Sequence, residues 1–114
     1  MSNESCCKET GYSLVIATCP DSDTVKKITG ALMEKRLAAC VQVFPIESVY
    51  TWEGKLCQDR EFALHIKSKT ALFGEITAAI NDNHGYEVPE IIQIPITDGL
   101  PEYLKWIDEN TRRD

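Results

Sequence analysis

Hydrophobic positions along the chain repeat with two different periods, which predict a sheet covered by helices. The segment from Tyr12 to Cys19 is apolar on both faces, which is typical of a central strand. Phe62, Leu64 and Ile66 alternate with polar residues and predict a half-buried strand. These two segments are therefore expected to form the middle of the sheet.

Two further segments predict edge or bulged strands, because each contains a proline without a backbone N–H to donate. One runs from Val41 to Trp52, and we expect it to be interrupted and bent at Pro45. The other runs from Glu90 to Thr97 and contains Pro95. The dipeptide Glu53-Gly54 is expected to join strands two and three as a type I turn, with its glycine left-handed and forming a bulge.

Three segments have the apolar spacing of helices. Asp21, Ser22 and Asp23 supply capping oxygens for the first helix. The second is predicted from about Thr70 to Asn83, and Pro101 opens a third, short helix. The apolar faces are Val25, Ile28 and Leu32 in the first helix, Leu72, Ile76, Ala79 and Ile80 in the second, and Leu100, Tyr103, Leu104 and Ile107 around the third.

The resulting order, β-α-β-β-α-β with an extra C-terminal helix, predicts an α+β ferredoxin-like sandwich. Right-handed crossovers place both main helices on one face, around a core that includes Leu14, Ile28 and Ile76. We expect a flexible leader over residues 1–11 and a single domain over residues 12–114. Because the first strand is apolar on both faces, the face without helices is expected to be covered by another subunit.

Composition and charge narrow the classes of function. The 114 residues are 43% hydrophobic and 26% charged, close to the averages for globular proteins. A net charge of −6 with scattered basic residues argues against nucleic-acid binding. No apolar run is long enough for a signal sequence or a membrane span. Five cysteines without a C-x-x-C motif favour a reducing compartment, so we expect a cytoplasmic protein.

Several motifs in the same order resemble one known family. They are "TCPD", "KRLAACVQVFP", "YTWEGKL", "EFALHIKS", "HGYEVPEIIQIPIT" and "YLKWI". Together they cover roughly Ser13 to Ile107, and the chain is identified on them as similar to the CutA family of divalent-cation tolerance proteins. The resemblance implies a trimeric ferredoxin-like protein whose hairpins pair across subunits, so a neighbouring subunit is expected to cover Trp52.

The resemblance also implies a weak site for copper or another divalent cation. Copper ligands in the family are attributed to a Cys ending strand one and to His residues before a Tyr-x-x-Pro-Glu segment. His84 matches one of these positions, whereas Asn83 and Ala17 stand where other members have His and Cys. Cys19 lies two residues beyond Ala17, so His84 and Cys19 are the candidate metal ligands.

Structural interpretations of both candidates stay open. Cys19 fits a small buried hydrophobe at a strand end. His84 fits a residue that interacts with the negative end of a helix dipole. Cys6 and Cys7 lie in the polar leader, and their role is not predicted.

A second group of residues is a candidate ligand cleft or interface. If the hairpin reaches a neighbouring subunit, Trp52, Lys67, His84, Tyr86 and Glu90 are expected to line a cleft between subunits, with Lys67 holding an anion. In the alternative interpretation, the two aromatic residues are interface anchors, and Lys67 pairs with a carboxylate of Glu61 or Glu90.

Three classes of function follow from these features. The first is a trimeric, non-catalytic protein that binds metal ions, and the resemblance favours it. The second is a small-molecule sensor similar to the PII signalling proteins, which also form ferredoxin-like trimers. The third, an acylphosphatase-like hydrolase, needs a phosphate-cradling loop with an arginine after strand one, and "TCPDSDT" is acidic and lacks both. We predict no enzyme activity.

Overall fold

A computed structural model describes residues 9–113. Its elements follow the predicted order, with a single 3₁₀ turn before the second α-helix. The leader cysteines and most of the predicted leader lie outside the described residues, so that domain boundary stays a prediction. The elements are β1 (Tyr12–Cys19), α1 (Ser22–Glu34), β2 (Cys40–Trp52), β3 (Lys55–Lys69), the 3₁₀ turn (Thr70–Leu72), α2 (Phe73–Asp82), β4 (Ile91–Pro95) and α3 (Pro101–Glu109).

The four strands form one antiparallel sheet in the order β2-β3-β1-β4. This is the strand arrangement of the predicted ferredoxin-like fold, and the α+β fold class is confirmed. β1 is central, as its two apolar faces predict. β2 and β4 are the edge strands, so Pro45 and Pro95 both lie in strands with a partner on one side only. Such positions tolerate a proline, which has no backbone N–H to donate.

Two local predictions about the β2–β3 hairpin were wrong. Pro45 does not interrupt β2, because the register runs without a break from Cys40 to Trp52 and Pro45 pairs with Phe62. The turn is not a type I turn with a bulge, since Trp52 pairs directly with Lys55. Glu53 and Gly54 both have positive φ angles, 52° and 78°, as in the two-residue type I′ turn that matches the twist of a hairpin.

Both main helices pack on the same face of the sheet, as predicted. Ile28 and Leu32 of α1 and Ile76 and Ile80 of α2 are fully buried in one cluster. From the sheet, this cluster takes Val15, Ala17 and Cys19 of β1 with Leu64 and Ile66 of β3. The prediction that Leu14 belongs to this core was wrong, because alternation along β1 turns Leu14 to the other face.

The face of the sheet opposite α1 and α2, called the helix-free face below, is apolar and largely open in one chain, because α3 lies only over its end at Lys67 and Lys69. Leu14 pairs with Ile94 and Ile16 pairs with Ile92, and these pairs share that face. Ile92 and Ile94 remain exposed, as does Phe44 on the other edge strand. An apolar sheet face of this kind marks an interaction surface.

The hairpin projects beyond the rest of the sheet. β1 ends at Cys19, which pairs with Phe62, so the seven pairs from Ile46–Glu61 to Trp52–Lys55 have no third strand beside them. At about 3.3 Å per residue, this arm reaches roughly 20 Å past the end of β1. The radius of gyration, 15.4 Å, accordingly exceeds the roughly 13 Å expected for a compact chain of this length.

The C-terminal helix α3 packs at the opposite end of β3. Of its predicted apolar face only Ile107 is fully buried, while Leu100 and Tyr103 are exposed. Lys69 of β3 anchors the following segment, donating from Nζ to the carbonyl oxygen of Arg112 at 2.9 Å and lying 3.6 Å from Asp108. The rest of the predicted apolar face of α3 is therefore left open in the subunit.

Leu64 tests the helix-covered core, because its side chain is fully buried between the sheet and the helices. We expect Leu64→Ala to lower the free energy of unfolding by about 2–5 kcal/mol, through lost burial and the cavity left behind. Urea denaturation at one protein concentration measures this, with Met33→Ala on the exposed side of α1 as the control. A loss no larger than that of the control variant would contradict the packing described here.

Candidate functional site

A cleft of about 510 Å³ lies where the hairpin arm leaves the sheet. One wall is the projecting part of β2 and β3, and the other is the segment between α2 and β4. This segment crosses the end of β1 because β4 begins opposite Ala17. The lining residues are Thr18, Ser48, Val49, Tyr50, Trp52, Glu61, Tyr86, Glu87, Val88 and Glu90.

Glu61 is the most buried carboxylate in the cleft, with 9% of its surface exposed. Its Oε1 accepts one long hydrogen bond from the Tyr86 hydroxyl, at 3.4 Å. None of the ion pairs within residues 9–113 includes Glu61 or the other cleft carboxylates, Glu87 and Glu90. The described lining contains no lysine or arginine, so the cleft is acidic and lacks a counter-charge.

Tyrosine hydroxyls support two carboxylates along the hairpin. Tyr86 donates to Glu61, and Tyr50 donates to Asp59 across the β2–β3 pair. The hydrogen bond to Asp59, with some desolvation, raises the pKa of Tyr50 to about 12. Burial, and next the charge of Glu61, raise the pKa of Tyr86. Both phenols therefore stay neutral donors at physiological pH.

His84 has both ring nitrogens engaged. The backbone N–H of Tyr86 donates to Nδ1 at 3.1 Å, while Nε2 lies 2.6 Å from the carbonyl oxygen of Thr18. A carbonyl oxygen only accepts and a backbone N–H only donates, so the neutral tautomer with a proton on Nε2 satisfies both contacts. The imidazole thus has no free lone pair, and metal binding at His84 requires one of these hydrogen bonds to break.

Cys19 lies on the other side of the sheet, fully buried in the helix-covered core. Burial, followed by the nearby carboxylates of Asp21 and Glu61, raises the pKa of its thiol to about 11. Because the thiolate is the form that binds metals, this environment opposes ligation. The burial supports the interpretation of Cys19 as a small core hydrophobe.

Lys67 is separated from the cleft within one subunit. Its Nζ donates to Oε1 of Gln42 at 3.0 Å and lies 5.9 Å from the centre of the Tyr103 ring. Six residues of extended strand separate Lys67 from Glu61, or roughly 20 Å. The subunit therefore brings together Trp52, Tyr86 and Glu90, with His84 beside Tyr86, but it does not bring Lys67 to them.

Within residues 9–113, no group of three His, Cys, Asp or Glu side chains is arranged to hold a metal ion. The candidate ligands His84 and Cys19 therefore do not form a closed copper site in one subunit. No helix in this part of the chain is long and apolar enough to cross a membrane.

Comparison with known proteins decides the family. The model of the CutA1 divalent ion tolerance protein family matches residues 13–110. The chain belongs to this family. The resemblance to the CutA proteins carried by the sequence motifs is thus confirmed.

Individual CutA relatives agree with this assignment. The "Protein CutA, chloroplastic" of Arabidopsis thaliana is 44% identical over 100 residues, which is 87% of this chain and 55% of the relative. The chain thus spans little more than half the length of that relative. The structure of the "Periplasmic divalent cation tolerance protein CutA" of Archaeoglobus fulgidus has a TM-score of 0.84 at 40% identity, covering 87% of this chain and 97% of the other. The CutA1 structure of Oryza sativa has a TM-score of 0.87 at 39% identity, covering 93% and 98%.

Sequence reasoning missed most of the cleft of this CutA chain. Glu61 was considered only as a partner for Lys67, and Tyr50 and Asp59 were not considered as site residues. One feature of the sequence does single out Glu61, because this charged residue immediately precedes the alternating apolar positions Phe62, Leu64 and Ile66. What the sequence did not reveal is that β1 ends opposite Phe62, which turns the next position on β3 into the floor of a cleft.

The environment of Cys19 predicts slow alkylation. Raising the thiol pKa from 9.0 to about 11 lowers the thiolate fraction at pH 7.5 roughly 100-fold, and burial adds a steric barrier. We expect iodoacetamide to modify Cys19 far more slowly in the native protein than in urea, as followed by peptide mass spectrometry. Cys57, on the projecting hairpin, is the comparison within the same protein. Equal rates for Cys19 in the native and unfolded states would contradict this description.

Proposed function

We propose that this chain is a homotrimeric, metal-ion-responsive binding protein that acts in tolerance to divalent cations and catalyses no reaction. The observation that carries the proposal is the family match over residues 13–110. The acidic cleft supports it, because three carboxylates without a basic neighbour attract cations rather than anions.

Assembly as a trimer is supported by the apolar surface that one subunit leaves uncovered. The helix-free sheet face exposes Phe44, Ile92 and Ile94, and the hairpin arm exposes Val49 and Leu56. A second copy of the chain has the same apolar surfaces, which can cover those of the first. The number of copies, three, comes from the family resemblance. In this trimer the cleft at the base of each arm lies between subunits, and a neighbour supplies its outer wall.

Metal binding in this proposal is weak and centres on His84. The imidazole must release the Tyr86 N–H or turn away from Thr18 before it can bind an ion. Cys19 contributes only if the core opens, since its thiol is buried. Copper or another divalent cation therefore completes its coordination with water or with a second subunit. We further propose a cytoplasmic location, although relatives include proteins described as chloroplastic or periplasmic.

A second candidate function is small-molecule sensing in the cleft, as in the PII-like trimers. The observation that favours it is the cleft itself, whose volume lies within the usual range for ligand sites. Its aromatic and apolar walls, formed by Trp52, Tyr86 and Val88 among others, suit an organic ligand better than a bare ion. The binding of nucleotides and carboxylates compared with metals separates the two functions.

Trp52 tests the proposed assembly. We expect the native protein to have the mass of a trimer in light scattering, with well over ~800 Å² of each subunit buried against its neighbours. We expect Trp52→Ala to weaken assembly by about 2 kcal/mol or more per interface, because a buried aromatic anchor is lost at each. Lys55→Ala, on the paired position of the same hairpin, is the control. A monomer mass for the native protein at micromolar concentration would refute the trimer, and unchanged assembly of the Trp52 variant would remove Trp52 from its interface.

His84 tests the proposed metal site. In calorimetric titrations with copper we expect His84→Ala to lose affinity at pH 7.5, and Cys19→Ser to change affinity little. Equal affinities for all three proteins would place the metal elsewhere, with Cys6 and Cys7 of the leader as the next candidates.

A further inference from the structure

The buried carboxylate of Glu61 is not explained by the packing of the subunit. A charged group that is 9% exposed is costly unless it is paired or well hydrogen-bonded. Glu61 has one long hydrogen bond, from a neutral phenol at 3.4 Å, and takes part in none of the ion pairs among residues 9–113. Among residues 9–113 of one chain, no cationic side chain therefore pairs with Glu61.

The walls around Glu61 identify the kind of cation that fits. Three aromatic residues line the same cleft, Tyr50, Trp52 and Tyr86, together with Val49 and Val88. Aromatic faces attract ammonium groups within about 6 Å of the ring centre, and aliphatic walls take up hydrocarbon. Such a lining has the chemistry of a site for a cation that carries an apolar part.

A bare metal ion and an anion both fit this cleft less well. No three carboxylate, imidazole or thiol groups within residues 9–113 converge on one point, as a metal shell requires. An anion meets the carboxylates of Glu61, Glu87 and Glu90 without a lysine or arginine among the described lining residues. A positively charged organic molecule avoids both difficulties, because its charge pairs with one carboxylate and its chain lies against the walls.

We propose that the cleft binds a small organic cation, with its alkylammonium group at Glu61 and its hydrocarbon part against Trp52 and Tyr86. The ammonium N–H groups donate to the Glu61 carboxylate, which keeps its hydrogen bond from Tyr86. Glu87 and Glu90 add negative potential at the rim. This inference deepens the second candidate function, on which it rests, and it is independent of metal binding at His84.

An alkylammonium group at Glu61 has a second source, which is a lysine side chain of a neighbouring copy inserted into the cleft. We commit to the free cation, because Lys67, the lysine expected in this cleft, already donates from Nζ to Gln42 and lies beside the Tyr103 ring. The two sources differ in one respect. A neighbour's lysine makes Glu61 necessary for assembly and blocks added amines, whereas a free ligand leaves assembly unchanged.

Three probes of similar size distinguish binding that depends on positive charge from binding of the apolar chain alone. The full chain is titrated with n-butylammonium, butyrate and n-butanol at pH 7.5 in the presence of EDTA, which removes metal ions. Binding is followed by the ¹H–¹⁵N NMR signals of the Trp52 indole and the Tyr86 amide. We expect n-butylammonium to bind about tenfold or more tightly than either other probe, because only it gains a charge-assisted hydrogen bond.

Two variants test the named contacts. We expect Glu61→Gln to lower the affinity for n-butylammonium about tenfold while leaving the affinity for n-butanol unchanged, since the amide keeps the shape and loses the charge. Val88→Ala should lower the affinity for both, since it removes part of the apolar wall and keeps the Trp52 indole signal. Glu47→Gln is the matched control, because it removes one charge from the same hairpin outside the lining of the cleft. Higher salt should weaken n-butylammonium binding to the native protein, a readout that needs no variant.

Three results would overturn the proposal. Equal affinity for n-butylammonium and n-butanol would leave a cleft that binds ligands but does not select cations. No binding of any probe would refute the organic-cation site, whereas the titrations with nucleotides and carboxylates decide the second candidate function separately. No binding of the amine, together with dissociation of Glu61→Gln, would assign the cation to a neighbouring subunit's lysine.

Discussion

The structure depends on one strand, β1, which is apolar on both faces although α1 and α2 cover only one of them. Its Val15 and Ala17 face the two helices, while Leu14 and Ile16 face an open sheet surface. A sheet face with apolar residues from three strands costs free energy in water, and at about 25 cal/mol per Å² its burial is a strong driving force. The fold of one subunit therefore already favours association. The proposed trimer answers a requirement that β1 imposes.

The end of β1 determines where the cleft lies. Because β1 ends opposite Phe62 and the hairpin continues, the next residue of β3, Glu61, has no neighbour in the sheet on that side. The segment from His84 to Glu90 crosses this gap on its way to β4, and His84 bonds to Thr18 as it does so. The cleft is thus a consequence of unequal strand lengths.

The sequence allowed the fold to be predicted closely, because its elements have clear periods. β1, the apolar faces of α1 and α2, and the edge positions of Pro45 and Pro95 are as predicted. The wrong predictions concern the geometry of a strand and a turn, which the period of hydrophobic positions does not specify. A proline at a sheet edge leaves the ladder intact, and the positive φ of Glu53 gives a two-residue turn that residue preference alone did not select.

The site was harder to predict than the fold, because it depends on contacts between subunits, on hydrogen bonding and on burial rather than on periodicity. Trp52, Tyr86 and Glu90 were correctly grouped, but Lys67 joins them only if another subunit supplies it. Residue type suggested metal ligands at His84 and Cys19, whereas hydrogen bonding occupies the first and burial neutralises the second. Ligand capacity depends on which lone pairs are free, and a sequence does not contain that information.

The cost of leaving Glu61 uncompensated bears on function rather than stability. Replacing a buried charge by an apolar group of similar volume is often neutral or stabilising, so a buried carboxylate is weak evidence for a stabilising role. Here the carboxylate also faces an aromatic cleft, and its one hydrogen bond is long. A cation that pairs with it has no cationic side chain of residues 9–113 to displace, because Glu61 takes part in none of their ion pairs. The unfavourable feature of the isolated subunit is thus the source of affinity for a positively charged ligand.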